Sequence, residues 1–210
     1  MITRLKSLVR DHGGASAAEF ALVLPLLLIF LFGIIDGGRF LWEYNRAEKA
    51  TQAGARFAVV TDPIPGGLAA ADYVGVSGLT QGDIIPATAF GKVSCTWKTG
   101  ASPVCCDPAS SCATPYPALG ALNAAAFTGV VTRMRGMKPD IQPANVVIRY
   151  EGAGLGYAGD PNGMDLSPLV TVELTGLTFR PITSLMQLSF TMPDFRTTLT
   201  AEDASGSQSN

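Results

Sequence analysis

Proton relays and zinc sites in proteins lean on imidazole, and this chain has a single histidine, His12. His12 lies in the basic N-terminal stretch MITRLKSLVRDHGG, ahead of a long apolar run. The body of the chain therefore cannot build a Ser-His-Asp or Cys-His relay. We expect no catalytic residue, no metal site, no cofactor and no enzyme.

Four thiols could do other chemistry: Cys95, Cys105, Cys106 and Cys112, in CTWKTGASPVCCDPASSC. Zinc-binding thiolates recur at spacings such as C-x₂-C, whereas the intervals here are nine residues, none and five. Two disulfides are the expectation. Of the three pairings, the two that avoid an adjacent Cys105–Cys106 bridge are preferred, with no choice between them. The bridges would hold a Pro/Ser-rich loop that lacks a core of its own.

Two further stretches invite chemistry and are read as structure. GAGLGYAG, Gly152 to Gly159, follows an expected strand like a dinucleotide loop, but no helical pattern comes after it to receive a phosphate. Asp160, Asn162 and Asp165 in DPNGMD could offer oxygens to Ca²⁺, yet the same residues are turn formers, and a turn is expected.

The residue most in need of explanation is Glu19. It stands at the head of a run in which every residue from Phe20 to Ile35 is apolar, Gly or Pro. With the preceding alanines the run reaches roughly the 20 residues that a bilayer core demands. An acid there costs about 2.5–3.5 kcal/mol on insertion scales, so it is kept for a partner or a pathway. Arg4, Lys6 and Arg10 precede the run and Asp36 follows it with Arg39, which predicts a cytoplasmic N-terminus and an exported body. The cysteines then fall on the side where oxidation is permitted.

A cleaved secretory signal would have a shorter core and a small-residue site after it, but GIIDGGRFLWEY is bulky and charged there. A plain anchor would explain the length and leave Glu19 idle. Cleavage ahead of the core, between Gly14 and Ala15, would remove residues 1–14 and make Glu19 the fifth residue of the mature chain and Phe20 the sixth. The new Ala15 ammonium would be as costly in lipid as the Glu19 carboxylate. Staggered helices could let one neutralise the other.

Gly14, Ala15, Glu19 and Phe20 resemble the prepilin signal of type IV pilins, and ASAAEFALVLPLLLIFLFGIIDGGRF is closer still to the TadE-like proteins of the Tad (Flp) pilus system. Pro25 sits in the LPLL setting of that pattern, where a membrane helix tolerates it. The resemblance implies a minor pilin or pseudopilin that primes or caps the fibre. Its implied partners are a prepilin peptidase, other Tad minor pilins, the major Flp pilin, the inner-membrane assembly platform and membrane lipid. The implied location is the inner membrane, single-pass, with the body outside the cytoplasm. The alternative is a permanently anchored extracytoplasmic binding protein whose loop at Cys95–Cys112 meets a ligand.

The elements that must carry these residues follow from periodicity. Phe40, Tyr44, Ala47, Thr51, Gly54 and Ala58 recur at steps of three and four, so the helix is expected to continue to about Val60, on the order of 70 Å in all. Gly37 and Gly38 could hinge it. Its small residues would let a sheet or helix approach closely, and TadE-like proteins show a comparable stretch ending near Gly54, Ala55 and Arg56. Pro63, Pro65, Gly66 and Gly67 stop it.

The body, residues 61–203, is read with strands at Lys92–Lys98, Val146–Tyr150, Val170–Phe179 and Gln187–Thr200, the last interrupted near Pro193, which argues for an edge or a bulge. Ala118–Met137 is read as a helix, and residues 204–210 as a disordered tail. The close of the chain, Val146–Glu202, resembles TadE-like proteins weakly. The fold class is thus α+β and pilin-like: a long N-terminal helix, membrane-spanning in its first half, packed on a small antiparallel sheet. Net charge −2, 15% charged residues and a mean hydropathy of +0.27 fit one apolar segment plus one small domain, and no basic patch suggests nucleic acid.

Overall fold

The computed structural model describes residues 14–98, 100, 102–105, 119–161, 163–182 and 189–201. Residues 1–13, the first thirteen of the expected 14-residue leader, lie outside the described residues, as do Cys106, Cys112, Ala118, Asn162, Gln187, Glu202 and residues 204–210, the expected tail. The chain divides into two compact units, Met1–Glu43 with Phe179–Phe190, and Tyr44–Thr178 with Thr191–Asn210.

Helix α1 runs unbroken from Ala15 to Ala58, through Pro25, Gly37 and Gly38. In the first unit its apolar residues are exposed on every side, as in Phe20, Leu22, Leu26, Phe30 and Ile34. A helix apolar all round is a membrane span or a core helix, and none of the residues in its most apolar window is buried.

The strands are β1 (Lys92–Lys98), β2 (Ser102–Cys105), β3 (Val146–Glu151), β4 (Leu169–Leu174), β5 (Thr178–Phe179), β6 (Phe190–Thr191) and β7 (Phe195–Thr200). The second unit is built on a five-stranded antiparallel sheet of order β2-β1-β3-β4-β7. Alternation places Val146, Ile148 and Tyr150 on one buried face, with Val170 and Val172 opposite Tyr150 and Ile148 on the neighbouring strand. The second half of α1 and helix α2 (Ala124–Arg135) cover that face. Asn123 caps α2 by accepting the Ala126 N–H at 3.0 Å, and Phe127, Val130, Val131 and Met134 are its buried side.

The small face of α1 does what its composition suggests. Ala47, Ala50, Thr51 and Ala55 are fully buried, and a Cβ on Gly54 would lie 2.7 Å from Met134 Cγ of α2 and 3.3 Å from Val172 Cγ1 of β4. One missing methyl thus lets helix and sheet both close on α1. Thr51 bonds Thr197 at 3.0 Å, and the Tyr44 and Phe195 rings meet edge to face at 4.8 Å.

Three details depart from the sequence reading. Strand β2 is additional: Ser102–Cys105, with Pro103 in it, pairs at the sheet edge where the missing N–H does no harm. The strand expected over Val170–Phe179 breaks at Leu174, because Asn145 captures Thr175 through both of its backbone bonds and Gly176 turns the chain at φ 69°. Past Gly176, β5 pairs with β6 in a separate two-stranded hairpin. The interruption expected near Pro193 is present: β6 and β7 lie on either side of it, and β7 is an edge strand. Helix α2 starts later than Ala118, since Leu119 and Ala121 instead accept the N–H groups of Gly67 and Gly66.

Candidate functional site

The first turns of α1 bring Gly14, Ala15, Glu19 and Phe20 onto one short stretch of helix. Gly14 directly precedes Ala15, with open space where its Cβ would be. Glu19 follows Ala15 by four residues, about one helical turn. Glu19 and Phe20 are exposed. The acid is thus presented outward from an apolar helix.

At the other end of the apolar run the chemistry is closed. Asp36 is buried, its Oδ1 accepting the Ile182 N–H at 2.8 Å and pairing with Arg39 at 3.1 Å. The Arg39 guanidinium lies 5.5 Å over the Phe179 ring, and Phe40 meets the same ring edge to face at 5.4 Å. Sequence reasoning used Asp36 only as a flank charge; an acid placed at the first polar position after an apolar run was the available signal.

Residues 14–56 match the model of the TadE-like protein family. The TadE-like segment begins at the glycine ahead of α1 and ends within its small-residue half, close to the helix end at Ala58. It covers Glu19, Pro25 and Asp36, and does not extend to 146–202. A TadE-like segment points to a protein associated with a Tad pilus. No curated protein and no solved structure matches the chain.

Beyond the TadE-like segment, Cys95 and Cys105 form a disulfide and face each other across β1 and β2, with Cα atoms 4.0 Å apart. This belongs to one of the two preferred pairings; Cys106 and Cys112 lie outside the described residues. The bridge fastens an edge strand rather than a coreless loop.

The Gly-rich stretch and the DPNGMD turn are joined to each other. No helix follows β3 among the described residues; Gly156, at φ 110°, pairs with Leu166, and a Cβ on it would collide with the Asp165 carbonyl oxygen. The buried Asp165 carboxylate accepts the N–H groups of Tyr73 and Gly159 on Oδ2, each at 2.8 Å, and of Asp160 on Oδ1 at 3.0 Å. Those oxygens are engaged by three backbone donors, which is the turn reading. Nearby, the Thr80 N–H and hydroxyl hold Asp83 below the usual carboxylate range.

Proposed function

We propose that this protein is a minor pilin or pseudopilin of a Tad-type pilus, a non-enzymatic building block assembled through α1 to prime or cap the fibre. A prepilin peptidase cuts between Gly14 and Ala15, and the body lies outside the cytoplasm. One observation carries this reading: an exposed, membrane-length apolar helix presents Glu19 a single turn beyond the Gly14–Ala15 junction, within the segment matched to TadE-like proteins.

The chemistry that supports it is charge neutralisation. The Ala15 ammonium made by cleavage and the Glu19 carboxylate are each expensive in hydrocarbon, and a staggered neighbour supplies the opposite charge to both. Glu19 then sets the register between subunits. The partners are other Tad minor pilins, the major Flp pilin and the inner-membrane assembly platform, with lipid as the resting environment of α1.

Mass spectrometry of the protein extracted from membranes tests the reading. A mature chain beginning at Ala15 is expected. Chains that all retain residues 1–14, in cells whose prepilin peptidase is active, would instead describe a permanently anchored binding protein.

A further inference from the structure

We propose that the β5–β6 hairpin is a second membrane contact, lying on the lipid surface beside α1 with Ile182 and Phe190 at headgroup depth. The proposal rests on the reading that the apolar run of α1 crosses a bilayer.

The hairpin's depth is set by the groups that tether it. Asp36 is the first charged residue after the run that ends at Ile35, so its carboxylate lies close to where the helix leaves hydrocarbon. The Ile182 N–H is bonded to that carboxylate, and Phe179 is held between Arg39 and Phe40 one turn further on. The described part of the hairpin is therefore tied to the helix at the interface level.

Its surface suits that position. Ile182 is 58% exposed and Phe190 56%, although the Ile182 N–H and the Phe179 ring are both held on α1. From Thr178 to Met192 the sequence contains no acid and a single base, Arg180, so no carboxylate in it opposes entry into a headgroup layer. Trp42, exposed on α1 just past Asp36, is of a residue type that collects at the same boundary. Exposed Ile182 and Phe190, with Ile182 tied to a membrane helix at its exit level, are matched by lipid headgroups and upper acyl chains.

Full-length protein reconstituted in phosphatidylethanolamine and phosphatidylglycerol vesicles provides the test, with Trp42 and Trp97 first replaced by Phe. Single tryptophans are then introduced as Ile182→Trp, Phe190→Trp and Phe30→Trp. Lipids brominated high or low on the acyl chain quench emission according to depth. Ile182→Trp and Phe190→Trp are expected to be quenched several-fold more by the shallow bromines than by the deep ones, and Phe30→Trp by the deep ones. Quenching of Phe30→Trp with emission from both hairpin tryptophans equal in brominated and plain vesicles overturns the proposal and leaves the anchor intact. Absence of quenching at Phe30→Trp removes the membrane reading and this proposal with it.

Discussion

Asp36 Oδ1 accepts the backbone N–H of Ile182 at 2.8 Å, across 146 residues of chain. A hydrogen bond to an ionised acceptor contributes about 1.5–3 kcal/mol. Asp36→Ala should release the hairpin locally and speed amide exchange at Ile182 by roughly 10- to 100-fold. Unchanged exchange would show that the Phe179 contacts with Arg39 and Phe40 suffice.

The close approach at Gly54 makes a sharper demand. Gly54→Val places branched carbons where Met134 Cγ and Val172 Cγ1 already sit, and overpacking of this kind costs about 1–3 kcal/mol. The better helix propensity of a non-glycine residue offsets only a fraction of that. Thermal denaturation should show a lowered Tm; an equal or raised Tm would mean that α2 can shift away from α1 freely.

The Cys95–Cys105 bridge closes a segment with a sequence separation of 10. Chain-entropy arguments assign a loop of that size about 2.5–3 kcal/mol. The double variant Cys95→Ser with Cys105→Ser should lose about that much in a denaturant titration. A loss below about 0.5 kcal/mol would mean that the bridge does not act mainly by restricting the unfolded chain.

Tyr150 gives a pH prediction. Its hydroxyl accepts the Ile64 N–H at 3.1 Å, and burial pushes the phenol well above its ordinary value of about 10, outweighing that hydrogen bond. The folded state thus keeps the proton that the unfolded state gives up. The contribution is complete below about pH 10 and declines as pH rises beyond it. Tyr150→Phe should flatten this alkaline decline and, by stranding the Ile64 N–H, cost about 1–3 kcal/mol near neutrality. An alkaline limb identical in the variant would assign the decline to other groups.

Glu19 is testable in cells. Glu19→Ala should leave removal of residues 1–14 largely possible while reducing incorporation into pili, read by immunoblotting of sheared fibres against membranes. Normal incorporation would refute the pairing of Glu19 with a neighbour's Ala15 ammonium.

Much of this architecture was readable locally. The composition of residues 15–58 dictates a helix that is apolar first and thin afterwards, and the candidate site at Gly14 and Glu19 is legible at its head, because lipid and close packing each select residue types along one continuous element. Strands β1 and β3 likewise announce themselves by alternation. Tertiary structure decided what depended on distant partners. Pro103 lies in a strand because β1 was there to pair with it, and the Val170–Phe179 run breaks because Asn145 captures Thr175. Asp36 holds a hairpin that begins well over a hundred residues later, and Asp165 gathers three N–H groups from two loops. A residue's own neighbours set its propensity, but which donor reaches a given carboxylate is settled only when the whole chain has folded.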